Sequence, residues 1–141
     1  MTHPMRIKYM HHTHAHTHAP HNSPLLIPPF LPGTIYVGNQ SAAENLTLLR
    51  AHGIKRVVNC TFGESKIPNY HAGKLDYHVF PVSHWQLYIN GTHASVLAFT
   101  QPVFAFIEEA IERGDSVLVH CLAGAHRAGT TGVACLIHFL R

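Results

Sequence analysis

The chain reads as α/β, with a mostly parallel central sheet flanked by helices and a phosphate-binding loop between a buried strand and a helix. Three observations point there. Strand-like and helix-like patterns alternate from Gly33 onward. Val117-Leu118-Val119 is a short, wholly apolar run of the kind a parallel sheet buries on both faces. Directly after it, a loop of small residues leads into an apolar helical stretch, an arrangement that turns backbone N–H groups toward an anion.

Taken in order, residues 1–32 form a His/Pro-rich tail, expected to be disordered up to about Ser23, because a histidine tract followed by Pro20, Pro24, Pro28, Pro29 and Pro32 supplies few backbone donors or apolar faces. Residues 33–141 form the single folded domain. Thr34 to Val37 reads as a strand. Ser41 with Glu44 three residues on makes a capping box that opens a helix, and Gly53 closes it. Ile54 to Asn59 is a β-branched strand, and Asp76 to Val82 alternates as another. Phe99, Val103, Phe106, Ala110 and Ile111 have helical spacing within Ser95 to Glu112, with Pro102 as a kink or local start. The last helix is expected over Thr130 to Leu140.

Composition narrows the function classes. The 141 residues contain 46% apolar side chains, enough for one ordinary core. Net charge is +3 with neutral histidines, and Lys and Arg are scattered, so neither a nucleic acid nor a membrane partner is expected. No apolar stretch approaches the roughly 20 residues of a membrane span. Fifteen histidines are present, but seven fall in the first 21 residues. His12, His14, His16 and His18 could chelate zinc or nickel, yet no supporting shell can be drawn around them, and no metal is assigned. No cofactor is assigned either. Three cysteines without a CxxC pair make neither a disulfide framework nor a zinc knuckle, which suits a reducing intracellular setting, cytoplasmic or nuclear. The Asn-x-Thr triplets at Asn45, Asn59 and Asn90 are read as ordinary asparagines.

The chemistry lies in Val117-Leu118-Val119-His120-Cys121-Leu122-Ala123-Gly124-Ala125-His126-Arg127-Ala128-Gly129-Thr130. Because Ala123, Gly124 and Ala125 lack bulk, the N–H groups of residues 122–127 can converge on one tetrahedral anion at the start of the following helix. The same donors favour a Cys121 thiolate, which makes it a nucleophile. Arg127 supplies a planar fork that grips two phosphate oxygens. Leu122, Ala123, Gly124, Ala125, His126 and Arg127 are therefore the substrate-binding candidates.

His-Cys-x5-Arg resembles the signature of the protein tyrosine phosphatases, and Val-Leu-Val-His-Cys-Leu-Ala-Gly resembles the dual-specificity branch. Ile35-Tyr36-Val37-Gly38, Ser41-Ala42-Ala43, Gly53-Ile54, Val57-Val58-Asn59 and Phe80-Pro81-Val82 are also similar to that branch, so the likeness covers about residues 33–141. It implies a phosphorylated protein substrate, a phosphocysteine intermediate and no metal. It assigns His120 to support of the loop.

Three departures qualify what the resemblance implies. Relatives protonate the leaving oxygen with an aspartate after the Phe80-Pro81-Val82 strand, where this chain has Ser83-His84-Trp85. No Asp or Glu lies between Asp76 and Glu108, so the acid is His84, another histidine such as His93, or missing. An unperturbed imidazole, pKa ~6.5, suits the task. Relatives also carry Ser or Thr where Ala128 stands, a substitution shared with the phosphatases of regenerating liver. Slow turnover follows, with phosphotyrosine favoured over phosphoserine, and phosphoinositide is disfavoured because the loop lacks lysines. Finally, the chain stops at Arg141, inside the first helix after the loop, as a fragment or a minimal domain. Val133, Leu136, Ile137 and Leu140 should then be partly exposed.

His126, in the variable position before Arg127, is either a rim histidine without a role or a residue that touches substrate. Cys60, ending the strand expected beside that of Cys121, is either core or a reversible disulfide partner for it; Cys135 reads as core. Three functions compete: a slow cysteine phosphatase, a pseudophosphatase that binds phosphoproteins, and a rhodanese-like sulfur carrier or arsenate-type reductase. The intact nucleophile favours the first.

Overall fold

The computed structural model describes residues 6–10 and 33–140. Five parallel strands form one sheet in the order β1-β2-β5-β3-β4: β1 Arg6–Met10, β2 Thr34–Gly38, β3 Ile54–Asn59, β4 Asp76–Val79 and β5 Ser116–His120. The helices are α1 Gln40–Glu44, α2 Leu46–Ala51, α3 His93–Glu112 and α4 Arg127–Phe139. The expected α/β architecture is present.

Strand alternation sorts the apolar side chains into two layers. Ile35, Val37, Val58, Val117 and Val119 pack with Val103, Ile107 and Ala110 of α3 and Ala128 and Cys135 of α4. Their neighbours Tyr36, Val57 and Leu118 point the other way, onto Ala42, Ala43 and Leu49 of α1 and α2. With helices on both faces, β2 and β5 are buried at every position, which is why Val117-Leu118-Val119 is a continuous apolar run. Arg56 ties β3 to α3, donating from Nη1 to the Phe106 carbonyl at 2.8 Å and to Glu109 Oε2 at 2.8 Å.

Several sequence expectations need correction. Residues 6–10, assigned to the disordered tail, form the edge strand β1, where Ile7 and Met10 find apolar partners from the two core layers. Residues 1–5 and 11–32, which hold most of that tail and its alternating histidines, lie outside the described residues. No Ser41/Glu44 capping box opens α1: Asn39 caps it, Oδ1 accepting from Ala42 N at 2.9 Å. Asn45 then caps α2 by accepting from Leu48 N at 3.0 Å, so one expected helix is two. A short side-chain acceptor before the helix satisfies an otherwise orphaned N–H, and both asparagines offer one.

β4 ends at Val79 rather than Val82, since Pro81 has no N–H to continue a ladder, and Val82–Leu87 turns as 3-10 helix with a kink at His84. α3 starts at His93, capped by Thr92, and runs through Pro102. By length and composition this 20-residue helix is apolar enough to cross a membrane, against the expectation of no such stretch, yet here it packs on the sheet through Val103, Ile107 and Ala110. α4 begins at Arg127, three residues before the expected start. Its Val133, Leu136, Ile137 and Leu140 are exposed.

Candidate active site

β5 delivers Cys121 to the carboxyl edge of the sheet, between β2 and β3, where parallel sheets place their ligands. The thiol sits at the base of the loop, 2% exposed, and its Sγ accepts the Gly124 N–H at 3.2 Å. Among the described residues, the N–H groups of Leu122, Ala123, Ala125, His126 and Arg127 have no acceptor. The loop is held from outside. Gln40 N donates to the Leu122 carbonyl at 3.0 Å, and Gly124, at φ +75°, lies so close that an added Cβ would stand 2.8 Å from the Gly38 carbonyl carbon and oxygen. Only glycine fits both the conformation and the space.

Arg127 opens α4, so its guanidinium and the positive end of a 13-residue helix face the same cleft. Its Nη1 donates to Ser65 Oγ at 2.9 Å. Ser65 belongs to the 3-10 turn Gly63–Ser65, in the loop after β3 that the buried Asn59 organises: its Oδ1 accepts from Thr61 N and Oγ1, and its Nδ2 donates to the Ile67 carbonyl at 2.7 Å. Nothing local in the sequence marked Ser65 as a partner of a residue 62 positions away.

Beside Arg127 lies a cleft of about 280 Å³ lined by Val82, Ser83, Trp85, His126, Arg127 and Thr130. A larger apolar cavity of about 430 Å³, walled by Phe62, Phe80, Tyr88 and Phe99, includes neither Cys121 nor Arg127; the smaller cleft includes Arg127 but not the buried Cys121 thiol. His84 is not among the residues lining that cleft. Its Nδ1 is 3.1 Å from Ser83 Oγ, and its ring stands edge-on to Phe62 with centroids 5.1 Å apart. His93 is the exposed first residue of α3. Leu122, Ala123, Ala125 and His126 are exposed on the loop, while Gly124 is buried beneath it.

His120 is fully buried under the loop. Neither ring nitrogen has a hydrogen-bond partner among the described residues, the contact with the Cys121 backbone falling outside hydrogen-bond geometry. Burial pushes its pKa down to about 4. A lowered folded-state pKa means that the neutral form is favoured by folding, so its contribution is complete above the unfolded value of ~6.5 and is lost as pH falls toward about 4. Acidification from pH 7 to 5 should therefore cost on the order of 2 kcal/mol from this group, and His120→Asn should flatten the fall in Tm over that range in a calorimetric pH series.

Cys60 and Cys121 follow the paired residues Asn59 and His120 on adjacent strands, and both are free thiols. Cys60 sits in the core, its Sγ 3.4 Å from Thr131 Oγ1, and burial pushes its thiol up to about 12, with the Thr131 hydroxyl opposing. Cys135 is buried in the same core layer and is likewise pushed up to about 12.

This strand, loop and helix geometry agrees with comparison to known proteins. The family model for the dual specificity phosphatase catalytic domain matches residues 35–140. The chain belongs to the dual specificity phosphatase family. It is 36% identical over 120 residues to human dual specificity protein phosphatase 6, covering 83% of this chain and 28% of that protein. With human dual specificity protein phosphatase 7 the identity is 35% over 117 residues, covering 81% and 25%. Mouse dual specificity protein phosphatase 14 is 30% identical over 106 residues, 75% of this chain and 49% of that protein. The dual specificity phosphatase chain thus spans between a quarter and a half of these relatives' length.

Proposed function

We propose that the chain is the catalytic core of a protein phosphatase that hydrolyses phosphotyrosine, and phosphothreonine or phosphoserine more slowly, through a phosphocysteine. The observation that carries this reading is the buried Cys121 thiol at the base of the loop, its Sγ accepting the Gly124 N–H at 3.2 Å, with Arg127 opening the helix at the loop's far end. In the first step the Cys121 thiolate attacks phosphorus as the ester P–O bond breaks and the leaving oxygen takes a proton. In the second, water attacks the phosphocysteine, the P–S bond breaks and the thiolate returns, leaving inorganic phosphate. Arg127 and the loop N–H groups stabilise the equatorial oxygens in both steps. No metal or cofactor takes part in this scheme. Such a thiolate requires a reducing environment, and an intracellular setting is part of the proposal.

The proton donor decides the rate. The cleft lining holds no carboxylate, and its one histidine is His126. General acid catalysis contributes about 10²–10⁴ in rate, so its loss slows esters of poor leaving groups most. A tyrosine phenolate leaves more readily than a serine alkoxide, hence the preference for phosphotyrosine. Release of p-nitrophenol from its phosphate, measured against pH, should be slow but saturable, and His84→Ala reads directly on the acid: if His84 donates the proton, the limb on which rate falls with rising pH disappears. The segment after β4 carries Ser83-His84-Trp85 and no carboxylate, which favours a second reading, a phosphoprotein-binding pseudophosphatase. Absence of turnover in the folded chain, with phosphopeptide binding retained, would replace the first reading by the second.

A further inference from the structure

The edge strand β1 reaches the phosphate loop through one side chain. Tyr9 pairs with Val37 in the sheet, one residue before Met10 pairs with Gly38. Its ring is 49% exposed, and its hydroxyl donates to the carbonyl oxygen of Gly124, 115 residues away. We propose that Tyr9 is a positioning residue for the oxyanion cradle, holding the Gly124–Ala125 peptide so that the Ala125 N–H faces the bound phosphoryl group. This inference rests on the function proposed above.

Peptide geometry carries the argument. In a trans peptide the carbonyl of one residue and the N–H of the next point in opposite directions across a rigid plane. A donor that fixes the Gly124 oxygen on the outer side of the loop therefore fixes the direction of the Ala125 N–H on the inner side. That N–H has no acceptor among the described residues, so it is available to an anion. The preceding peptide is already committed, because the Gly124 N–H faces Cys121 Sγ at 3.2 Å.

Gly124 is also where the loop needs an outside constraint. It has φ +75° and no side chain, so the backbone there is intrinsically permissive. Two loop carbonyls are clamped by the rest of the protein: Leu122 by the main-chain N–H of Gln40, and Gly124 by Tyr9. The first clamp survives any side-chain substitution, whereas the second depends on one phenolic oxygen. Donors aimed in advance are what make such a cradle effective, since none need reorient when charge builds on the phosphoryl oxygens.

The test compares the full chain with Tyr9→Phe, which removes only the hydroxyl and keeps the ring and the strand. Calorimetric titration with tungstate, a tetrahedral oxyanion, reads the cradle without turnover. The expected result is a Kd about tenfold weaker, the scale of one hydrogen bond, with kcat/KM for p-nitrophenyl phosphate lowered by a similar factor. With tungstate bound, amide exchange should show unchanged protection of β1 and faster exchange at Ala125 in Tyr9→Phe. A hydrogen bond of purely structural value would lower Tm while leaving tungstate affinity equal in the two proteins, and that equality would overturn the role of Tyr9. Failure of the unsubstituted chain to bind tungstate would instead sink the cradle reading on which the inference stands.

Discussion

Cys121→Ser abolishes turnover of aryl phosphates, by a factor on the order of 10⁴ or more, while oxyanion binding persists. The exchange of sulfur for oxygen leaves the loop almost unchanged in shape, and the Gly124 N–H that meets Sγ at 3.2 Å would meet Oγ instead. The reactivity changes. A thiol is intrinsically far more acidic and more nucleophilic than an alcohol, whereas a serine hydroxyl stays protonated in the same loop and offers no anionic nucleophile. Steady-state p-nitrophenol release checks the first half of the expectation and tungstate titration the second. Residual turnover within tenfold of wild type would mean that another group attacks phosphorus, and the phosphocysteine scheme would fall.

Arg127→Lys should lower kcat/KM by about 10²–10³, although the charge is kept. Lysine presents a point charge where the guanidinium presents a fork matched to two phosphate oxygens, and the gain is largest as negative charge accumulates in the transition state. The contact from Arg127 Nη1 to Ser65 Oγ at 2.9 Å supplies the control. Ser65→Ala leaves the fork in place and removes only its tether, so a loss of at most about tenfold is expected there, the scale of one hydrogen bond. Equal losses in the two variants, read from full kinetic curves on p-nitrophenyl phosphate, would show that Arg127 acts through the Ser65 loop and not on substrate.

The two substitutions probe what the sequence made legible. Thr34–Gly38, Ile54–Asn59 and Ser116–His120 were readable as strands because each is a short run rich in β-branched or apolar residues, buried at every position except Lys55. The Cys121 to Arg127 loop was readable because its chemistry is contiguous: nucleophile, small residues and guanidinium follow one another along seven positions. The start of α4 was misjudged by three residues because Arg127, Ala128 and Gly129 carry little apolar signal while already satisfying helical geometry. The Asn39 and Asn45 caps were missed for a related reason, since the Ser41 and Glu44 pair satisfies a pattern that the backbone does not use here.

By itself, the sequence determined the α/β class, the central strands, the Cys121 and Arg127 pair and the lack of a carboxylate between Asp76 and Glu108. Those are properties of local runs and of covalent order. Only the tertiary structure decided the contacts made across the sheet: β1 drawn from the tail to the edge, β5 inserted between β2 and β3, Ser65 on Arg127, Tyr9 on Gly124, and His84 against Phe62. Each joins residues distant in the chain, or turns a side chain toward a partner that no local pattern names. Such contacts exist only once the strand order 1-2-5-3-4 has brought their carriers to the same edge of the sheet.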